Sequence, residues 1–232
     1  MSANPKQHEQ VWAKWEEWFD TTSHIVYAMY HDRELFQELR DAIVGIGPNE
    51  PAPWLHHYAR LYLAKQAMAA RRVMDRTDGA VSFWWVLHGI ETSPQVLNRE
   101  RFLAANPNRA DWAVEERRAE FEGLRSPGGD WIDPKIIEYF RLTMEADVER
   151  LVVYATKTVA HTDPKGAPSL TWAEVSEIID HIGRGFQSFG AMFHATHYEV
   201  LPYTEGDWKA PFRRNLFEPY KQWRNFDYIP GG

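Results

Sequence analysis

Apolar side chains recur every three to four residues through most of this chain, and that period restricts its folds more than any other feature. From Gln10 to about Ile46, Val11, Trp15, Trp18, Phe19, Ile25, Val26, Met29 and Tyr30 fall at helical spacing, and Leu35, Leu39 and Ile43 continue it. The polar pair His31–Asp32 predicts a division into two helices, and Gly45, Gly47 and Pro48 close the run. A helix is expected over Pro53–Arg76, with the stripe Leu55, Ala59, Tyr62, Ala69 and Val73. Asp75 to Gly79 then reads as a stop and turn.

Further along, Val81–Ile90 predicts a short apolar helix, residues 92–108 a loop, and Asp111–Arg125 a charged surface helix. Ser126-Pro127-Gly128-Gly129-Asp130 is the strongest break. An Asp133 cap and Pro134 at the first position open a long helix. Its stripe is Ile137, Phe140, Met144, Val148, Leu151, Ala155 and Val159, and it stops at about His161. Thr171 and Glu174 form a Thr-x-x-Glu capping box ahead of Val175, Ile178, Ile182, Phe186, Phe189 and Phe193. Gly183, Gly185 and Gly190 sit inside that helix, where each costs about 1 kcal/mol relative to alanine, so they imply close approach by another helix.

No alternating strand pattern exceeds four residues, and no repeat of 20–50 residues is present. These readings predict an all-α chain: an antiparallel bundle of four to five main helices over residues 1–203, with an aromatic tail over 204–232 in the same domain. Composition narrows the chemistry. With 0 cysteines among 232 residues, disulfides, zinc fingers, iron–sulfur clusters and cysteine nucleophiles are excluded. The net charge of −7 argues against a general nucleic-acid coat and confines any such contact to a local patch. No run reaches the length of a membrane span and no signal-like start is present, so the expectation is a cytoplasmic protein that meets no membrane.

The chemically informative stretch is Tyr154-Ala155-Thr156-Lys157-Thr158-Val159-Ala160-His161-Thr162-Asp163. It resembles the signature of the HEPN superfamily, in particular the branch similar to abortive-infection and toxin proteins. Members often read Arg, polar, Lys, two or three residues, then Ala-His-Thr-Asp at the end of a late helix. Ala70-Arg71-Arg72-Val73-Met74-Asp75-Arg76, followed by Val81-Ser82, is similar to the end of the family's second helix. The resemblance covers about residues 10–200 in its order of helices. It implies a helical bundle that dimerises across the motif helix. In active members an Arg and a His line a cleft and cleave RNA without metal. There the His moves a proton and the Arg neutralises charge growing on the phosphate.

This sequence departs from the pattern at one position. His161 is present, but Ala155 stands where the Arg belongs. Arg150 lies eleven residues before His161, roughly 16 Å along a helix, too far to share one phosphate within a subunit. In an antiparallel dimer, Arg150 would come from the partner subunit. Lys157, one helical turn from His161 and on the face of Tyr154, is a point charge without the guanidinium fork. The alternative role of His161 is a histidine that favours a helix C-terminus, and of Asp163 a turn residue. His194 and His197 are spaced to chelate a metal, yet no metal motif accompanies them, and His56 and His57 are adjacent and diverge. No phosphate-binding glycine loop is present, so neither metal nor cofactor is expected.

Between Trp208 and Tyr228 the tail interleaves seven aromatic residues with Lys209, Arg213, Arg214, Lys221 and Arg224. That mixture suits base stacking, and equally a strap whose rings dock on the bundle. Arg71, Arg72 and Arg76 form a second basic cluster at a helix end. The expectation is a degenerate HEPN-like homodimer of a bacterial defence or toxin–antitoxin-type system that binds RNA, an antitoxin or another protein. Tyr154, Asp163, Arg213 and Arg214 are its binding candidates. The alternatives are an active metal-independent ribonuclease using His161 with Lys157 or the partner subunit's Arg150, and a purely structural interaction protein.

Overall fold

A computed structural model describes residues 5–44, 52–104, 111–160 and 170–194 of the chain. Every regular element among them is helical: α1 (Pro5–Val44), α2 (Ala52–Val73), α3 (Phe83–Thr92), a 3₁₀ turn (Pro94–Val96), α4 (Arg99–Ala104), α5 (Asp111–Leu124), α6 (Pro134–Tyr154), a π-helical segment (Ala155–Ala160) and α7 (Trp172–His194). Of two isolated antiparallel bridges, Asn98 to Trp131 pins the segment before α4 to the link between α5 and α6, and Arg125 to Ile132 closes that link on itself. The aromatic tail, 204–232, lies outside the described residues.

Several boundaries correct the sequence reading. α1 is one helix of 40 residues, roughly 60 Å long, and is not divided at His31–Asp32. Nothing between Pro5 and Val44 breaks it, because no glycine and no further proline occurs there. Its polar midpoint is used instead: Asp32 pairs with Lys65 of α2 at 2.7 Å, and Arg33 with Asp180 of α7 at 2.7 Å. Residues 92–108 are not simply a loop. They hold the 3₁₀ turn and α4, whose first turn is capped by Asn98 Oδ1 accepting from Arg101 N. The expected α2 stripe is met at Tyr62 and Val73 and shifted between them. Tyr62, Gln66, Ala70 and Val73 face inward, while Ala59 and Ala69 are half-buried. Gln66 escapes a purely apolar count, yet it is buried because its amide donates to Met29 O at 3.1 Å.

The core sits where α1, α3, α6 and α7 meet. Trp12 stacks on Phe193, Phe193 on Phe19, and Phe19 on Phe186, with ring centroids 4.7, 5.2 and 5.1 Å apart. Phe83 of α3 joins Phe186 at 4.3 Å. Each ring pair contributes about 0.5–1.5 kcal/mol beyond its burial. Within this face α1 places Thr22 and Ser23, whose hydroxyls donate back to Trp18 O and Asp20 O and so enter the core satisfied. The α7 stripe is buried as its period predicts. Gly183 lies flush against the Tyr30 ring of α1, and a Cβ at Gly185 would stand 2.8 Å from Phe140 of α6, so both glycines accommodate a neighbouring helix.

Candidate functional site

The Asp133 side chain accepts from Lys135 N at 3.0 Å and Pro134 follows, as the start of α6 requires. Ile137, Met144, Val148 and Leu151 are buried and hold α6 on the core. α-Helical closure ends at Tyr154, short of the expected stop near His161, and Ala155–Ala160 continues with π closure. A 3.6-residue count therefore does not carry through this segment. Among the motif residues, Tyr154 is half-buried and packs against the core. Ala155 is 0% exposed, so the position of the family's Arg faces the interior. Lys157 is exposed. His161, Asp163, Arg213 and Arg214 lie outside the described residues.

Arg150 is engaged rather than poised over a cleft. Its guanidinium donates to Glu174 Oε1, tying α6 to the first turn of α7. The capping box is closed on both sides. Thr171 N and Oγ1 donate to Glu174 Oε2 at 2.7 and 2.8 Å, and Thr171 Oγ1 accepts from Glu174 N. The Thr171 backbone donor, then the Arg150 guanidinium, then the Thr171 hydroxyl hold the Glu174 carboxyl down to about 2.

Just before the motif, a groove of about 540 Å³ runs between the end of α2 and α6. Its apolar lining is Met74, Leu142, Ala146, Val152 and Val153, and its charged lining is Arg71, Asp75, Arg76, Glu145 and Glu149. Of the two stretches that carry the family resemblance, the one at the end of α2 lines this groove through Arg71, Met74, Asp75 and Arg76, and the α6 lining stops at Val153, one residue before the other. A joint fixes its α2 wall: buried Ser82, the N-cap of α3, donates to Asp75 O at 2.7 Å and accepts from Trp85 N. Deeper in, Glu145 accepts from Arg141 at 2.7 Å, from Arg76 at 3.0 Å and from the Trp84 indole N–H. Arg141 also bonds Glu91 at 2.8 Å, and His88 stacks on Trp84 at 4.8 Å. The bonds to Glu91 hold the Arg141 guanidinium protonated beyond its ordinary range, against its burial, with Glu145 adding to them.

Sequence reasoning found the rim cations Arg71 and Arg76 and missed Trp84, Glu91, Arg141 and Glu145. The only signals were pair spacings, Arg141 to Glu145 at i,i+4 and His88 to Glu91 at i,i+3. With its central carboxylate saturated by three donors and its cations offset by acids, the groove is equipped to bind a mixed polar and apolar surface. His194 turns to Asp20 of α1, 3.4 Å away, while His197 lies outside the described residues. Among the described residues no group of three His, Asp or Glu side chains is placed to hold a metal ion, and no helix is long and apolar enough to cross a membrane. Comparison with protein-family models, with curated proteins and with solved structures finds no match to this chain.

Proposed function

We propose that this chain is a degenerate HEPN-like protein of a bacterial defence or toxin–antitoxin-type system. It is an antiparallel bundle of four to five main helices that pairs with a second copy across α6 and binds a protein partner or RNA without cleaving RNA. Complete burial of Ala155 carries this reading. A guanidinium belongs at that position in the cleavage pattern, and an interior site on a packed helix has no room for one. Arg150, the α6 cation nearest that position, is committed to Glu174. The mixed charge of the α2–α6 groove favours a protein partner over a phosphate backbone, which asks for a basic track. Pairing is supported by the outer face of α6, where Tyr139 is 74% and Leu142 49% exposed and Ala146 and Val153 continue the stripe toward the motif; the last three also line the groove, so a second copy and the partner share that edge.

The test uses the purified full chain with structured and total RNA in chelator. The expected result is intact RNA, and a scattering mass of twice 27.1 kDa. Metal-independent cleavage abolished by His161→Ala would overturn the non-catalytic reading. Lys157, exposed on the π segment, favours that active alternative, and rescue of cleavage in mixed His161→Ala and Arg150→Ala subunits would place its cation across the dimer.

A further inference from the structure

A second groove, of about 470 Å³, opens between α5, α6 and α7. Phe140, Phe189 and Met192 form its apolar floor, and the small residues Ala119, Gly123 and Ser188 form its walls. Ile136 at the mouth is 38% exposed. The Arg117 guanidinium bridges α5 to α7 by donating to Met192 O at 2.9 Å, while it lies 3.5 Å over the Phe102 ring. A polar bridge thus joins α5 to α7 beside this largely apolar groove.

We propose that aromatic side chains of Trp208–Tyr228 dock in this groove of their own chain. Position is the first argument. The α7 wall of the groove is Ser188–Met192, and α7 ends at His194. The thirteen residues from 195 to 207 reach roughly 45 Å when extended, more than the groove demands. Chemistry is the second. The segment carries seven aromatic residues, which find in the trough the burial they lack in water. Charge is the third. Five cations against two carboxylates make the segment basic, and Glu116 and Glu120 stand one turn apart on exposed α5, Glu120 lining the groove with one oxygen bonded to Arg117 at 3.0 Å. Tethering decides between the chain's own segment and that of a second copy. A short linker gives an effective concentration on the order of millimolar, above any ordinary protein concentration. The proposal is independent of the HEPN-like reading.

The chain has no native cysteine, so introduced thiols report without background. In the full chain, Ser188→Cys is combined in turn with Phe212→Cys, Phe217→Cys and Trp223→Cys and oxidised gently at low micromolar concentration. At least one pair should form a disulfide within a single chain on a non-reducing gel. Only interchain products, or none from any pair, would overturn self-docking. Gly123→Trp gives a second readout, because a side chain there starts into open space and fills the trough. Trypsin cleavage after Arg213 and Arg214 should accelerate about tenfold at unchanged helical content, as protection tracks the docked population. An unchanged rate would overturn the proposal, as would protection that arises only when RNA is added.

Discussion

Where α1 meets α7, ring faces ring: Trp12, Phe19, Phe186 and Phe193 stack in a continuous series. Where the end of α2 and α3 meet α6, charge faces charge, with Glu91 and Glu145 divided by Arg141 and capped by Arg76 and the Trp84 indole. The first contact is non-directional and grows with buried area. The second works only while every donor has its acceptor. One side of the molecule therefore resists small changes of geometry, and the other is the place where a bound surface can exchange one hydrogen bond for another.

Substitutions separate the two. Phe186→Ala, where the stack meets Phe83 of α3, should cost about 3–5 kcal/mol in urea unfolding with an unchanged slope. A loss below about 1 kcal/mol would mean that the rings repack freely and that the contrast fails. Arg141→Ala should cost about 2–3 kcal/mol, because it leaves Glu91 and Glu145 facing one another with side chains only 20% and 13% exposed. Arg141→Lys should recover part of this, since an ammonium reaches one carboxylate well and two poorly. The smallest effect is expected at Glu174. Its carboxyl is held at about 2 against an ordinary 4.5, so its contribution is present above 4.5 and fades as pH falls toward 2. The thermal midpoints of wild type and Glu174→Gln should differ near neutrality and converge in acid. A constant difference would show that the carboxylate acts by shape rather than by charge.

The same contrast explains what the amino-acid sequence made legible. The α7 stripe, the Asp133–Pro134 start and the Thr171–Glu174 box were readable because period and capping are local properties. Continuity of α1 was hidden by the polar run His31–Arg33, in which the partners of Asp32 and Arg33, Lys65 and Asp180, lie far along the chain. Gln66 escaped notice for the same reason, since its partner is a backbone carbonyl of another helix. The groove was half legible. Arg71 and Arg76 show as a cluster, but Trp84, Glu91, Arg141 and Glu145 converge only once three helices have packed. The π closure after Tyr154 left no periodic trace, because apolar residues continue through it.

The aromatic stack also sets a schedule. Phe19 is synthesised 167 residues before Phe186, which covers it. At about 5–20 residues per second, translation leaves the inner face of α1 waiting roughly 10–30 s for α7. α3 shields part of that face sooner, through Phe83 at 6.0 Å from Phe19. Until α7 leaves the ribosome, Trp12 and Phe19 lack Phe193, their shared partner in the finished fold. The nascent chain thus presents a sticky amphipathic rod for most of its synthesis, and holding chaperones are the natural company for that interval.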